Sequence, residues 1–218
     1  MSAKEGRSQT FNRIVEASLN LFNQQGERVI TTNHIARYMN ISTGNLYYHF
    51  RSKEEIINEL HRRYAKGMAE CLNAAGELSA SIDGMVAVME KTLRHLWQFR
   101  FLQQGIPSMF PVNKALEENH RDFTHFQVAN GVQKLFMRLR EQEMLEGDDE
   151  QINFLAKHFL LIQWGWIVRP DITDCPQEDR SIVREGCRSL LHFLSPYVSP
   201  RFRAPFQRTL ASLELQPA

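Results

Sequence analysis

All eight prolines of this 218-residue chain lie at position 107 or later, so the first 106 residues can form long uninterrupted helices. Apolar residues in this stretch recur at helical spacing, as in 10–25, where Phe11, Ile14 and Phe22 would share one face. Gly26 then supplies a helix stop. Because no segment shows the alternation of a β-strand and no repeat is visible, the sequence predicts an all-α fold.

Two short helices joined by a tight turn are predicted next. Thr31 or Thr32 can cap the second helix, and Ser42 can cap the third. Leu46 and Phe50 lie four residues apart on the third helix, so both point into one small core. This arrangement, with an apolar inner face and a small polar outer face, is the sequence form of a helix-turn-helix.

Longer helical segments are predicted beyond the helix-turn-helix. Ser52 and Glu55 have the spacing of a capping box and predict a fourth helix that extends to about Ala75. Ser199 and Pro200 have the pattern of a helix cap followed by proline at the first helical position. The remaining periodic stretches are residues 82–100, 113–146, 149–168, 178–195 and 201–213.

The third helix has the residues that a DNA-recognition helix needs. A major groove about 12 Å wide admits compact hydrogen-bonding side chains near the helix N-terminus. Thr43, Gly44 and Asn45 fit this requirement, since Gly44 lets the backbone approach DNA and the Asn45 amide can pair bidentately with adenine. Residues 47–49, two tyrosines and a histidine, can contact phosphates and thymine methyl groups. Taken singly, the two tyrosines and His49 are more often packing or surface residues, so the interpretation depends on the joint arrangement.

Residues 30–55 resemble the DNA-binding domain of TetR-family transcriptional regulators. The most specific part is NLYYHF at 45–50 followed by SKE at 52–54, and the first helix, which ends LFNQQG, is also in register. The resemblance covers roughly residues 10–60. It implies a helix-turn-helix DNA-binding domain in residues 1–52, joined by a long helix to a larger helical effector-binding and dimerisation domain in residues 53–218.

The resemblance also assigns DNA-contacting positions in this chain. Asn33 stands where many members have a basic residue, so one charged contact is absent. The matching positions are Thr32, Asn33, Thr43, Gly44, Asn45, Tyr47, Tyr48, His49 and Lys53.

The distribution of charge agrees with a DNA-binding segment at the N-terminus. The net charge of the whole chain is +1, which by itself gives no sign of a polyanionic partner. Residues 1–66 contain ten basic and six acidic residues, and residues 67–218 contain sixteen and nineteen. The basic excess of +4 therefore lies with the predicted DNA-binding domain, and we expect its affinity to fall steeply with salt.

The larger C-terminal region is predicted to supply a dimer interface, because a single helix-turn-helix reads only half a site. In the family, late helices pair with their copies as a four-helix bundle. Packing within one chain is the alternative for each of the candidate dimer residues, which are Phe154, Phe159, Ile162, Trp166, Ile182, Leu190 and Phe193. Candidate ligand-binding residues, for which plain core packing is the alternative, are His95, Phe99, Met109, Phe110, Phe123, Phe126, Gln163 and Trp164.

The resemblance thus implies a homodimeric repressor that binds a palindromic operator on double-stranded DNA and is released by a small apolar effector. The alternative is a structural or cell-division DNA-binding protein that has no effector. An enzyme is disfavoured, because the sequence contains no nucleotide-binding glycine loop, nucleophile elbow or metal-ligand motif. We expect no metal and no cofactor.

The remaining expectations concern the location of the chain. The N-terminal residues 1–9 lack the apolar core of a signal peptide. The most apolar stretch, residues 159–168, is shorter than the roughly 20 residues that span a membrane. Cys71, Cys175 and Cys187 have no metal-site spacing and are expected to be reduced thiols. These features predict a cytoplasmic protein without a membrane partner.

Overall fold

The proline-free half of the chain forms long helices, of which the first has 23 residues and the fourth 24. The computed structural model describes residues 3–77, 81–168 and 179–214, and these ranges contain helices and no β-strand. The prediction of an all-α fold is confirmed. Contacts divide the chain into two compact units: the head, Met1–Ala65 with Phe99–Arg121, and the body, Lys66–Gln98 with Asp122–Ala218. The boundary expected between residues 52 and 53 stays a prediction.

The head begins with a helix-turn-helix. Ile14, Ile35, Leu46 and Leu60, one on each of the first four helices, are all fully buried. A further helix packs on the first, where Phe22 and Phe101 place their ring centroids 5.2 Å apart. The helices that supply the head are α1 (Ala3–Gln25), α2 (Thr32–Tyr38), α3 (Thr43–His49), the first half of α4 (Lys53–Gly76), α6 (Arg100–Met109) and α7 (Lys114–Asp122).

The predicted helix stops and caps are present in the head. Gly26 has a φ of 79° and ends α1 by donating its N–H to the carbonyl of Phe22. Thr31 caps α2 by accepting the His34 N–H, and Ser42 caps α3. These caps explain why two helices of only seven residues each begin where they do.

The tight turn between α2 and α3 is a Schellman motif. Asn40 takes a left-handed conformation with a φ of 55°, which asparagine tolerates better than most residues. Its N–H donates to Arg37 O at 3.1 Å, and the Ile41 N–H donates to Ala36 O at 3.0 Å. The turn therefore satisfies the free carbonyls at the end of α2.

The start of α4 differs in detail from the predicted capping box. The Glu55 N–H donates to Ser52 Oγ at 3.3 Å, as expected. The Glu55 carboxylate, however, accepts the Arg51 N–H at 2.7 Å in place of the Ser52 N–H. The helix ends at Gly76, one residue beyond the predicted Ala75.

The body is built from helices whose inner faces are mostly apolar. Phe136 packs edge to face on Phe159, with ring centroids 5.2 Å apart. Gly186 allows close approach of its helix, because a Cβ there would lie 3.0 Å from Leu93 and 3.1 Å from Trp166. After the second half of α4, the body contains α5 (Ile82–Gln98), a π-helical turn (Phe123–Val128), α8 (Ala129–Glu141), α9 (Asp149–Ile167), α10 (Asp179–Leu194), a 3-10 turn (Ser195–Tyr197) and α11 (Pro200–Glu214).

Two features of the C-terminal half refine the predicted stretches. Pro200 is the first residue of α11, as predicted. The Ser199 hydroxyl, in contrast, donates to Glu143 O at 2.5 Å, so it ties the start of α11 to the segment after α8. An isolated bridge between Leu145 and Val198 lies at the same place.

Two of the three cysteines lie within the described residues. Cys71 and Cys187 are buried free thiols, and Cys175 lies outside the described residues. Burial raises the pKa of the Cys187 thiol to about 12. Among the residues that the structure describes, no helix combines the length and the apolar character needed to cross a membrane.

Candidate nucleic-acid interface

The outward face of α3 contains small polar and aromatic side chains. Thr43, Gly44 and Asn45 form its exposed first turn. Tyr47 and Tyr48 follow with exposed fractions of 49% and 63%. Five of the nine predicted DNA-contacting residues therefore lie together on the exposed part of one short helix.

The opposite side of α3 fixes the helix in the head. Leu46 is fully buried, and Phe50 directly after the helix stacks on Phe11 of α1 with centroids 4.6 Å apart. Ser42 Oγ accepts the Asn45 N–H at 3.1 Å and so orders the first turn. The exposed face is held from behind by packing and at its start by a cap.

Gly44 has no structural reason to be glycine. A Cβ built at this position would meet nothing nearer than Ser42 Oγ at 4.0 Å. The residue is not among those with a positive φ. Glycine is a poor helix former, less favourable than alanine by about 1 kcal/mol in a helix interior. The space above Gly44 is open to a partner from outside the chain.

The start of α2 lies beside α3. Thr32 Oγ1 is 3.1 Å from the hydroxyl oxygen of Tyr47, so the two side chains share a hydrogen bond at the surface. Asn33, next to Thr32, is exposed. The structure thus brings both α2 candidates to the edge of the α3 surface.

His49 and Lys53 are more constrained than the other candidates. Partial burial, and next the positive charge of Arg7, lower the pKa of His49. Lys53 Nζ donates to the carbonyl oxygen of Glu27 at 2.8 Å, which leaves two of its three N–H donors for other partners.

Arg7 belongs to this surface and was missed in the sequence. The apolar periodicity begins at Thr10, whereas α1 begins at Ala3, so Arg7 lies within the helix. The Arg7 Cζ lies 4.8 Å from the centroid of the Tyr48 ring, within the range of a cation–π interaction. The basic excess of the N-terminal segment was the one available signal for this residue.

A cleft of about 290 Å³ lies in the head beside Lys53. Its polar lining includes Glu27, which is buried, and Ser108, whose hydroxyl donates to Glu27 Oε1 at 2.5 Å. Met109 is the member of the predicted ligand set that lines it. The lining residues are Glu27, Arg28, Lys53, Glu54, Ile57, Ser108, Met109, Val112 and Asn113.

The predicted ligand residues are divided between the two units. In the head, Phe99 and Met109 are buried and Phe110 is half-buried, with its ring 5.6 Å from that of His120. In the body, Phe123 and Gln163 are buried, His95 is half-buried, and Phe126 and Trp164 are 66% and 51% exposed. A common ligand cavity for these residues stays a prediction.

The predicted dimer residues are divided between core and surface. Phe159, Trp166, Ile182 and Leu190 are buried in the single chain, so little of their area remains for a partner. Ile162 and Phe193 are half-buried, and Phe154 is 54% exposed. Leu161, which was not singled out in the sequence, is 60% exposed on the same helix as Phe154 and Trp164.

Comparison with protein families places the chain. A model described as "Bacterial regulatory proteins, tetR family" matches residues 14–60, and one described as "TetR: Bacterial transcriptional repressor" matches residues 63–206. The chain belongs to the TetR family. It is thus a DNA-binding transcription regulator with a helix-turn-helix, and regulators of this family are in general not enzymes.

Individual relatives agree with the family. A TetR-family transcriptional regulator from Marinobacter aquaeolei VT8 is 26% identical, with a TM-score of 0.83 over 94% of this chain and 98% of that one. The uncharacterised regulator YhgD of Bacillus subtilis is 23% identical over 128 residues, which are 55% of this chain and 67% of that protein. A transcriptional regulator from Saccharomonospora viridis, solved in complex with choline, is 17% identical with a TM-score of 0.70, over 89% of this chain and all of that one.

The described residues contain no group of three or more His, Cys, Asp or Glu side chains placed to hold a metal ion. Two histidines do form a pair, in which Nε2 of His61 on α4 is 3.3 Å from Nδ1 of His120 on α7. The chemistry that the head surface offers is therefore hydrogen bonding, stacking and positive charge, which are the interactions that DNA recognition uses.

Proposed function

We propose that this TetR-family regulator is a repressor that binds a palindromic operator as a homodimer and is released from it by a small apolar effector. Its nine head residues from Thr32 to Lys53 would contact the DNA, with residues 43–45 and Tyr48 at base edges and Tyr47, His49 and Lys53 at phosphates. A chromosomal operator would place its action in the cytoplasm.

The observation that carries the proposal is the open space above Gly44. A glycine in a seven-residue helix weakens that helix, and no neighbour in the chain requires the missing side chain. Close approach of a backbone to another molecule is a common reason for such a glycine. The groups around it, Thr43 and Asn45, are compact hydrogen-bonding side chains that suit base edges in a major groove.

Gly44→Ala tests this reason directly, because stability and DNA binding should change in opposite directions. Alanine should stabilise the head, by up to about 1 kcal/mol, since it favours the helix and meets no clash. The same methyl group should weaken binding to an operator selected from a random-sequence duplex pool. Urea unfolding and fluorescence anisotropy measure the two effects. Equal operator affinity in the variant would contradict the proposed close approach.

Two further substitutions separate base reading from backbone contact. Asn45→Ala should relax preference at one base position and leave binding to scrambled DNA unchanged, because the lost contact is a base contact. Lys53→Ala should weaken cognate and scrambled duplexes alike. If neither change alters DNA affinity, the assignment of the α3 surface is wrong.

The homodimer is supported by the exposed face of α9. Phe154, Leu161 and Trp164 lie seven and three residues apart, so they share one helix face, and each is at least half exposed. A stripe of large apolar side chains on a monomer marks an interaction surface. A second copy of the same face would bury it and would present two heads to the two halves of a palindrome.

The effector is the part of the proposal that most needs an experiment. The choline complex of the Saccharomonospora viridis protein shows that this fold can hold a small molecule in that relative. A panel of small apolar compounds should contain members that raise the melting temperature and release the operator. If every compound leaves both unchanged while the operator is still bound, the chain is the alternative, a structural or cell-division DNA-binding protein without an effector.

A further inference from the structure

The first turns of α1 bring a basic side chain to the DNA-facing side of the head. The helix starts at Ala3, seven residues before the apolar periodicity, so it is longer at this end by about 10 Å. Arg7 lies in this extension and is exposed. Since the apolar pattern does not include these turns, packing in the core does not explain why they are helical.

Two contacts fix this end of α1 against α3. Phe11 lies one turn after Arg7 on the same helix face, and its ring stacks on Phe50 at 4.6 Å with an interplanar angle of 24°. Arg7 itself lies over Tyr48, with 4.8 Å between Cζ and the ring centroid. The face of α1 that contains Arg7 therefore follows the second half of α3.

The electrostatics of the neighbouring residue agree with this placement. The charge of Arg7 contributes, after burial, to the lowered pKa of His49. Among the described residues, no carboxylate pairs with Arg7 within salt-bridge distance. Because the Tyr48 ring covers only one face of the guanidinium plane, the five N–H donors around its edge can still contact another group.

We propose that Arg7 is a DNA-contacting residue that binds a backbone phosphate beside the recognition helix, with Tyr48 as the platform that orients its guanidinium. The proposal rests on the proposed function, because it requires α3 to enter the groove. A phosphate is the expected partner, since Arg7 lies beside the C-terminal half of α3, near His49, and not beside the first turn, where residues 43–45 are proposed to meet base edges. Arginine matches phosphate geometry through its planar fork of donors.

The experiment compares Arg7→Ala with the unchanged protein on two duplexes, one selected by that protein from a random-sequence pool and one scrambled. Dissociation constants are measured by anisotropy between about 50 and 200 mM salt. Loss of one phosphate contact lowers the slope of log affinity against log salt by about 0.9, or by about 1.8 for a dimer with two copies of Arg7. Both duplexes should weaken by the same factor. Arg208→Ala, an exposed arginine on α11 outside the head, is the matched control for charge and should leave the slope unchanged.

The role of Tyr48 is tested by introducing Arg7→Ala into two proteins that already have a substitution at Tyr48. In Tyr48→Phe protein the ring remains, so Arg7→Ala should have its full effect, whereas in Tyr48→Ala protein the effect should be smaller. Arg7→Lys keeps the charge but loses the fork, and should recover part of the affinity. Melting curves of all variants show whether the head still folds.

The outcomes separate this proposal from the proposed function. If the unchanged protein binds its selected duplex and Arg7→Ala does so with the same affinity and salt slope, the Arg7 proposal is wrong and the function stands. If Arg7→Ala weakens the selected duplex alone, Arg7 reads a base and the phosphate assignment is overturned. If the unchanged protein selects no sequence and binds neither duplex, both proposals fail.

Discussion

The exposed faces of α3 in the head and α9 in the body differ in the size and polarity of their side chains, although both elements are α-helices. The first turn of α3 exposes Thr43, Gly44 and Asn45, all small. The outward face of α9 exposes Phe154, Leu161 and Trp164, all large and apolar. Because both helices bury their other face in their own unit, the difference is not required by folding. It is the difference expected for the two proposed partners, nucleic acid for α3 and protein for α9.

The interior of the head is also more polar than that of the body. Of the seven buried polar or charged residues among the described ones, five belong to the head. Several of them are tied by side-chain hydrogen bonds, such as Gln103 to Tyr64 at 3.1 Å and Asn113 to Asn58 at 2.9 Å. Such bonds have directional geometry and specify one arrangement of the helices more strictly than apolar packing does. We infer that the head is built for a fixed geometry, as a surface that reads DNA requires.

The largest expected effect distinguishes the inner from the outer face of α3. Leu46→Ala removes a fully buried side chain and should destabilise the head by about 2 to 5 kcal/mol. Asn45→Ala, the neighbouring exposed position, should change stability by no more than about 0.5 kcal/mol. Urea unfolding of the two variants gives both values. Similar losses in the two would mean that the exposed face of α3 also contributes to the fold.

The next prediction concerns the exposed face of α9. Leu161→Asp places a charge in the middle of the apolar stripe and should weaken the homodimer by at least about 2 kcal/mol, roughly thirtyfold in its dissociation constant. Sedimentation equilibrium measures this constant. Phe126→Asp, at an equally exposed aromatic of the π-helical turn, is the matched control and should leave the dimer intact. Dimers of unchanged strength in Leu161→Asp would place the interface elsewhere.

The polar interior of the head predicts a dependence of stability on pH. Burial, and next the neighbouring His120, lower the pKa of His61 to about 4, whereas an unfolded histidine titrates near 6.5. Between these values the unfolded chain binds a proton that the folded chain does not, so stability falls as the pH is lowered from 6.5 towards 4. At pH 5 the loss from this group should reach about 2 kcal/mol.

The His61→Gln variant isolates that contribution. Other acidic groups titrate in both proteins, so the difference in unfolding free energy between pH 7 and pH 5 reports His61 itself. We expect the unchanged protein to lose more stability than His61→Gln over this range. Parallel pH profiles would show that the pKa of His61 in the folded head lies close to its unfolded value, and the expected shift would be wrong.

Much of the head could be predicted from the sequence because its signals are local. Thr31 and Ser42 as caps and Gly26 as a stop depend on a few neighbouring residues, and all three are confirmed. Leu46 and Phe50 are buried as their spacing predicts. Arg7 could not be found in this way, since its contact with Tyr48 joins residues 41 positions apart and its helical turns have no apolar pattern.

The body was less predictable because its decisive contacts are distant in sequence. Periodicity predicts that α9 is helical, but it does not tell which apolar residues face the core. The exposed Leu161 was therefore not singled out, whereas the buried Phe159 and Trp166 were named as dimer candidates, and their part in a dimer stays a prediction. In the head, helix α6 was also missed, because residues 101–112, which include Pro107, lie between the predicted periodic stretches. The proline lies inside that helix, where it removes one backbone hydrogen bond near the C-terminal end.

The smallest expected effect on stability comes from removing a helix N-cap. The head and the body each contain a helix with a side-chain N-cap, so the same change can be compared in both units. Ser42 Oγ accepts the Asn45 N–H at 3.1 Å at the start of α3, and Asp148 Oδ1 accepts the Gln151 N–H at 2.8 Å at the start of α9. Ser42→Ala and Asp148→Ala should each cost about 1 kcal/mol in unfolding free energy. The consequences should nevertheless differ.

The difference between the two cap variants arises from helix length and position. Helix α3 has only seven residues, and its capped turn is the surface proposed to meet DNA, so fraying should weaken operator binding in Ser42→Ala. Helix α9 has 19 residues, and fraying of its first turn leaves Leu161 and Trp164 two or more turns away undisturbed. Asp148→Ala should therefore lose the same stability and bind the operator unchanged. Equal losses of operator affinity in both variants would mean that operator binding follows the stability of the whole chain. The assignment of DNA binding to the head and of dimerisation to the body would then lose its support.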